Sequence, residues 1–260
     1  MRDLTLVMPH YCNLGMWDEH QRVWADYPLE IRARLHVVLV DDCSPKGCRL
    51  SPKSVSVGGL GSLRMYRLLQ KIRWNWLACR NLGAKMTATD WMLLTDIDHV
   101  VPVETMTRLV MLKQPLDPRA VYRFRRVTAV KTWPYALTEC TDYKPHNDSF
   151  LLTRRLFFDD RVGGYDERLS GCYGTSGEFR DRLVRAASAH VIRMDSIIRY
   201  PREIIADAST PPSVYTRKGD PKNDAELQAK KAARALIPNW KPLHGLIPYE
   251  EVYASAVVAA

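Results

Sequence analysis

The run Leu35-His36-Val37-Val38-Leu39-Val40, closed at once by Asp41 and Asp42, constrains the fold more than any other feature of this chain. A short, β-branched and nearly all-apolar run suits a strand covered on both faces, and such strands belong to parallel sheets packed between helices. Leu4 to Met8 repeats the pattern. Trp17 to Arg34, between the two, has helical length and mixes apolar with polar residues, so the order is strand, helix, strand. That order predicts an α/β fold with a mostly parallel central sheet flanked by helices.

Later segments extend the pattern. Ser51 to Gly61 reads as a loop, Trp76 to Thr87 as a helix and Trp91 to Thr95 as a third strand, with Asp96-Ile97-Asp98-His99 where it ends. Val121 to Val130 alternates apolar and basic residues like a strand with one wet face. Phe150-Leu151-Leu152 is a short strand, Gly163 to Glu167 a turn and Gly177 to Ala187 a helix. Beyond Pro201 the composition becomes rich in Pro, Lys and Asp. Asp224 to Leu236 has the make-up of an exposed helix, and residues 238–260 take no assignment. The expected organisation is a single domain over residues 1–204, followed by a C-terminal extension, 205–260, packing on or near the active site.

Composition narrows the function. No run of about 18 apolar residues is present, which argues against a membrane span, and the N-terminus reads as a strand, not an export signal. The six cysteines show no paired spacing and favour a reducing, cytoplasmic setting. A formal net charge of +9 draws polyanions: nucleic acid, anionic membrane or a phosphorylated substrate.

Chemistry is expected where the strands end, because ligands of open α/β sheets bind beyond the carboxyl ends of the strands. The first strand runs into Pro9-His10-Tyr11-Cys12-Asn13, the second into Asp41-Asp42-Cys43-Ser44 and the third into Asp96-Ile97-Asp98. Such a site is concave and rich in oxygen. Asp96 and Asp98 could share one ion across a turn, and hard carboxylates suit Mg²⁺ or Mn²⁺ bridging to phosphates.

The ordered segments Val7 to Asn13, Val40 to Ser44, Arg80-Asn81-Leu82-Gly83-Ala84, Asp96 to Asp98 and Gly163 to Glu167 resemble family 2 glycosyltransferases and their relatives of the GT-A fold, across residues 4 to 190. The resemblance implies transfer of a sugar from a nucleotide-sugar, with a UDP-sugar favoured, to a hydroxyl. It further implies that Asp41 bonds the nucleotide base, Pro9 and Asn13 help shape the base and ribose pocket, and Arg80 approaches the nucleotide or its phosphates. Asp96 would face the ribose or metal-bound water and Asp98 would ligate the metal. His244 is a candidate for a ligand supplied by the C-terminal tail, whereas His99 reads as a loop residue. Asn147 and Asp148 are assigned to sugar or acceptor contacts.

This chain departs from the family pattern at the catalytic base. The Glu-Asp pair expected after the GGYDE segment is absent, with Thr175 and Ser176 near its place. Glu178 becomes the expected base and Asp181 the second choice, and a base in that position implies inversion at the anomeric carbon. The arginines and interleaved aromatics around the proposed site suggest a DNA acceptor. In this respect the chain resembles phage enzymes that glycosylate hydroxymethylated pyrimidines, which would place it in a host cytoplasm. The alternatives are a surface-polysaccharide or lipid-linked glycan acceptor, a nucleotidyltransferase, and a non-catalytic nucleic-acid-binding module.

Overall fold

The computed structural model describes residues 1–129, 148–188, 192–199, 221–236, 241–242 and 244–255. Among the described residues nine strands form one sheet: β1 (Leu4–His10), β2 (Leu35–Asp41), β3 (Ser62–Leu68), β4 (Trp91–Leu94), β5 (His99–Val100), β6 (Tyr122–Thr128), β7 (Phe150–Thr153), β8 (Ile192–Arg199) and β9 (Tyr249–Ala254). Their spatial order is β5-β8-β6-β7-β4-β1-β2-β3-β9. β1 to β4, β6 and β8 run one way, while β5, β7 and β9 oppose them. The helices are α1 (Leu14–Ala25), α2 (Leu29–Arg32), α3 (Trp76–Met86), α4 (Val103–Met111), α5 (Arg154–Phe157), α6 (Ser176–Ala186) and α7 (Pro221–Ala235).

The apolar runs behave as strands buried on both faces require. Leu4, Leu6 and Met8 of β1 join Val37 and Leu39 of β2 in one core layer, against Trp17 and Trp24 of α1. Val7, Val38, Val40, Met92 and Leu94 face the other way, onto α3 and α6. α3 lies very close to β1, and Gly83 makes that approach possible. A Cβ there would sit 2.3 Å from Val7 Cγ1, so any larger residue must push helix and strand apart.

Three elements differ from the expectation. The helix expected over Trp17 to Arg34 is two helices, α1 and α2, because Pro28 cannot continue α1 and instead caps α2. β3 falls just beyond the loop ending at Gly61. Arg64 and Arg67 break its apolar run, yet Arg64 covers the Tyr66 ring at 5.1 Å and pairs with Glu251 at 3.0 Å. The unassigned tail supplies β9, whose acidic residues lie opposite those arginines, so ion pairing across the ladder takes the place of apolar patterning.

The cysteine expectation also changes, since the structure joins Cys12 to Cys48, linking the ends of two segments that frame the site. Among the described residues no helix is long and apolar enough to cross a membrane.

Candidate functional site

β1, β2 and β4 are adjacent and parallel, so their carboxyl ends share one edge of the sheet. His10 is level with Asp41, and the Thr95 N–H bonds the Val7 carbonyl at 3.1 Å, which delivers Asp96 to the same edge. The backbone turns sharply there: Cys12, Cys43 and Trp74 all hold positive φ, at 49°, 52° and 51°. Side chains resist that conformation, and such strain gathers at functional sites.

Asp41 is wholly buried. It accepts the Ser44 N–H at 2.9 Å and faces Arg67 Nε at 3.5 Å and His10 Nδ1 at 3.7 Å. The Asn13 N–H donates to His10 Nε2 at 3.2 Å, so the proton of the neutral ring sits on Nδ1, toward the carboxylate. Burial pushes the Asp41 carboxyl up, but His10 and Ser44 outweigh it and hold the group below the usual carboxylate range. Asp41 is thus an ionised acceptor held inside the fold. Pro9 is half-buried on β1. Asn13 is buried with its Oδ1 unsatisfied among the described residues.

Asp42 behaves in the opposite way. Burial pushes its carboxyl up to about 7, against the pull of Lys71 and the Asn75 N–H. A raised acid costs folding free energy once it must ionise. Stability attributable to Asp42 is therefore undiminished below about pH 4, the unfolded value, and is lost as pH rises toward 7. Asp42→Asn is expected to raise the thermal midpoint by about 5 °C at pH 8 and leave it unchanged near pH 4, as read by calorimetry. Equal midpoints at both pH values would remove the assignment.

The carboxylates after β4 form the only group of potential metal ligands among the described residues. Ligand atoms of Asp96, Asp98 and His99 lie within 4.8 Å of one another. His99 Nδ1 and Asp98 Oδ1 are 2.8 Å apart, while the side chains of Asp96 and Asp98 are 34% and 28% exposed. Two partly exposed carboxylates with one imidazole make an oxygen-rich donor set that fits Mn²⁺ or Mg²⁺. His99, expected as a loop residue, belongs to the cluster in the structure.

Two buried groups shape this turn from behind. His20 of α1 bonds the Ile97 carbonyl at 2.9 Å, between the two acids, and burial lowers its pKa to about 4, so it stays neutral. Arg80 of α3 holds Asp96 Oδ1 at 2.5 Å and also donates to the Asp148 carbonyl and the Tyr165 hydroxyl. Its guanidinium is fully enclosed and stacks over Trp76 at 4.9 Å. Arg80 therefore acts from within the fold on the acid that lines the site. The sequence offered no signal for His20, because a helix histidine has no motif of its own.

The segment RNxGA proves to be a clasp for GGYDE. Asn81 accepts the Tyr165 N–H and donates to the Tyr165 carbonyl, both at 2.8 Å. Asn81 also donates to Glu167, whose carboxylate receives the N–H groups of Gly245 and Leu246 at 2.8 and 2.9 Å. A Cβ on Gly164, at φ +68°, would meet Asn81 Oδ1 at 2.8 Å. Glycine is required there on both counts.

The remaining expected residues scatter. Glu178 receives Arg182 Nε at 2.6 Å and a second Arg182 nitrogen at 2.8 Å, with Arg234 at 3.4 Å. A carboxylate whose lone pairs are so engaged is poorly placed to accept an acceptor proton, and Arg182 uses its other bond to fix the Gly164 carbonyl. Glu178 thus pins α6 to the GGYDE turn through Arg182. Asp181 is exposed on α6. His244 is exposed beside Phe158, with ring centres 5.6 Å apart, and is not part of the metal-ligand group. Asn147 lies outside the described residues. Asp148 is half-buried beside Arg80; burial raises its carboxyl despite that arginine, and its Oδ1 has no hydrogen-bond partner among the described residues.

This architecture is that of an α/β domain of the GT-A kind. The model of Glycosyl transferase family 2 matches residues 29–174, more than half of the chain, and the chain belongs to that family. No curated protein matches the sequence.

Solved structures agree on the fold. S. aureus TarS 1-349 in complex with UDP-GlcNAc superposes with a TM-score of 0.58 at 14% identity, over 88% of this chain and 66% of that one. GalNAc-T7 with UDP, GalNAc and Mn2+ gives 0.54 at 13% identity, over 78% and 44%. The mannosyltransferase PcManGT from Pyrobaculum calidifontis, in complex with GDP-Man and Mn2+, gives 0.50 at 14% identity, over 93% and 66%. Each of these three is thus a longer chain, of which this one matches only part.

Proposed function

We propose that the chain transfers a sugar from a nucleotide-sugar, with a UDP-sugar as first choice, to a glycan hydroxyl. The observation that carries this reading is the delivery of Asp41 and the Asp96-Asp98-His99 cluster to one sheet edge in a family 2 chain. Similar folds are known with UDP-GlcNAc, or with UDP and Mn2+, bound, which supports the choice of donor and metal. In this reading Asp41, ionised and held by Ser44 and Arg67, accepts hydrogen bonds from the nucleotide base. Pro9 and Asn13 flank the base and ribose. Asp96 and Asp98, with His99 beside them, would hold Mn²⁺ or Mg²⁺, which when bound would offset charge developing on the leaving diphosphate.

Inversion needs a carboxylate to take the acceptor proton. With Glu178 engaged by two arginines, we assign that task to Asp148, whose Oδ1 accepts no hydrogen bond among the described residues and whose carboxyl burial raises toward proton affinity. Asp148→Asn is expected to lower transfer by about a hundredfold or more while UDP binding persists. NMR of the product should show the inverted anomer. Unimpaired turnover in the variant would end this assignment.

Among the described residues, part of the charge that suggested DNA is neutralised or lies away from the acids. Arg64, Arg67 and Arg73 are paired with Glu251, Glu250 and Glu226. Arg154 and Arg155 come directly after β7 at Thr153, level with the start of β4 and so at the edge opposite the acids. This distribution supports a glycan over a hydroxymethylated pyrimidine. The deciding measurement incubates the protein with a panel of nucleotide sugars and Mn²⁺ and monitors nucleotide release. The reading requires Mn²⁺-dependent consumption of a UDP-sugar; consumption of none of the donors would overturn it.

A further inference from the structure

Beside the acids lies a second surface to which the donor reading gives no role. Trp74, in its strained left-handed conformation, meets Tyr173 edge to face with ring centres 5.5 Å apart. Trp74 and Trp76 are half-buried and Tyr173 is 39% exposed, so the aromatic surface reaches solvent. Trp76 carries the stacked Arg80 that grips Asp96, so this surface adjoins the metal cluster.

The loop bearing Tyr173 is held from below. Asn223 of α7, itself buried, accepts the Tyr173 N–H at 2.7 Å and donates to the Tyr173 carbonyl at 3.3 Å. Lys230 bonds the Ser170 carbonyl, and Arg73 bonds that of Gly171 at 3.2 Å. Three carbonyls of one short loop are thereby fixed, two of them by the helix that composition marked only as exposed.

Unsatisfied polar atoms gather along the same segments. Both side-chain atoms of Asn75, the Oδ1 of Asp42, and the hydroxyls of Ser170 and Thr175 are buried without a hydrogen-bond partner among the described residues. Buried polar groups are seldom left so, and each such group invites an explanation. They are neutral hydroxyl and amide groups, together with an acid that burial holds toward its protonated form. Such a set matches a ligand that carries many hydroxyls and little charge.

We propose that Trp74 and Tyr173, with Asn75 and Thr175, form the acceptor subsite, and that it takes a neutral pyranose of a glycan. One ring face stacks on the aromatics while its hydroxyls satisfy the open polar atoms. Helix α7 is a brace that holds the Tyr173 loop in register. The proposal rests on the glycosyltransferase reading and names the acceptor side of the same site.

The test uses the full chain, saturation-transfer NMR and methyl pyranosides of glucose, galactose, mannose and N-acetylglucosamine, with UDP and Mn²⁺ present. At least one glycoside should bind. Tyr173→Ala and Trp74→Ala should each weaken it about tenfold, with UDP affinity unchanged by calorimetry. Tyr173 is exposed, so its variant keeps the test decisive if Trp74→Ala fails to fold. Absence of binding by every glycoside to UDP-loaded protein would overturn the subsite, as would binding by both variants equal to that of the wild type. So would displacement of the glycoside by a hydroxymethylcytosine oligonucleotide, which would point to DNA. Failure of UDP itself to bind would instead sink the donor reading.

Discussion

Asp98→Ala is expected to cut sugar transfer by about a hundred- to a thousandfold while leaving the fold intact. The side chain is partly exposed and pairs with His99 at 2.8 Å, so its removal disturbs little packing. The substitution takes away half of the carboxylate pair at the end of β4. Electron paramagnetic resonance titration should show weaker Mn²⁺ binding, and UDP affinity should lose its dependence on the metal. Chelation of the wild-type protein should mimic the variant. Full turnover in Asp98→Ala, or metal binding as tight as wild type, would show that the cluster holds no catalytic ion.

Arg80→Met should act through the fold as well as the site. The guanidinium is enclosed and bonds three groups: the Asp96 carboxylate, the Asp148 carbonyl and the Tyr165 hydroxyl. Methionine fills most of the volume and satisfies none of them. Breaking a buried charge pair from one side costs several kcal/mol, and here Asp96 recovers part of that through its exposure to water. A loss of about 3 kcal/mol is expected from urea denaturation. Mn²⁺ affinity should fall too, because Asp96 loses the group that aims it. Lysine is no substitute, since one ammonium cannot reach three partners across the sheet edge. A variant that kept both stability and metal affinity would show that Arg80 is a bystander.

Much of the fold was legible because burial on both faces leaves a plain mark. β1, β2 and β4 are nearly all-apolar runs, and each gives way abruptly to polar residues. That single regularity located Asp41, Asp96 and Asp98. Legibility failed where pairing replaced burial. β3 and β9 are edge partners whose arginines and glutamates satisfy each other across the ladder, so neither looks like a strand when read alone. The ion pairs of Glu178 were hidden for a related reason. Its place near the missing acid pair was visible, but Arg182, four residues on, and Arg234, contributed by α7, were not visible as its partners. His20 and the Asn81 clasp act through backbone carbonyls and N–H groups, and no spacing rule in a sequence announces such contacts.

The position of β9 has a consequence for how the molecule comes into being. β3 would otherwise present a bare ladder of hydrogen-bonding groups, and the strand that covers it lies almost two hundred residues downstream, at Tyr249–Ala254. Arg67, which reaches Asp41 on one side and Glu250 on the other, ties the carboxyl end of β2 to that late arrival. During synthesis the edge of β3 beside Asp41 must wait, half-framed and liable to pair with a neighbouring nascent chain, until Tyr249–Ala254 leave the ribosome.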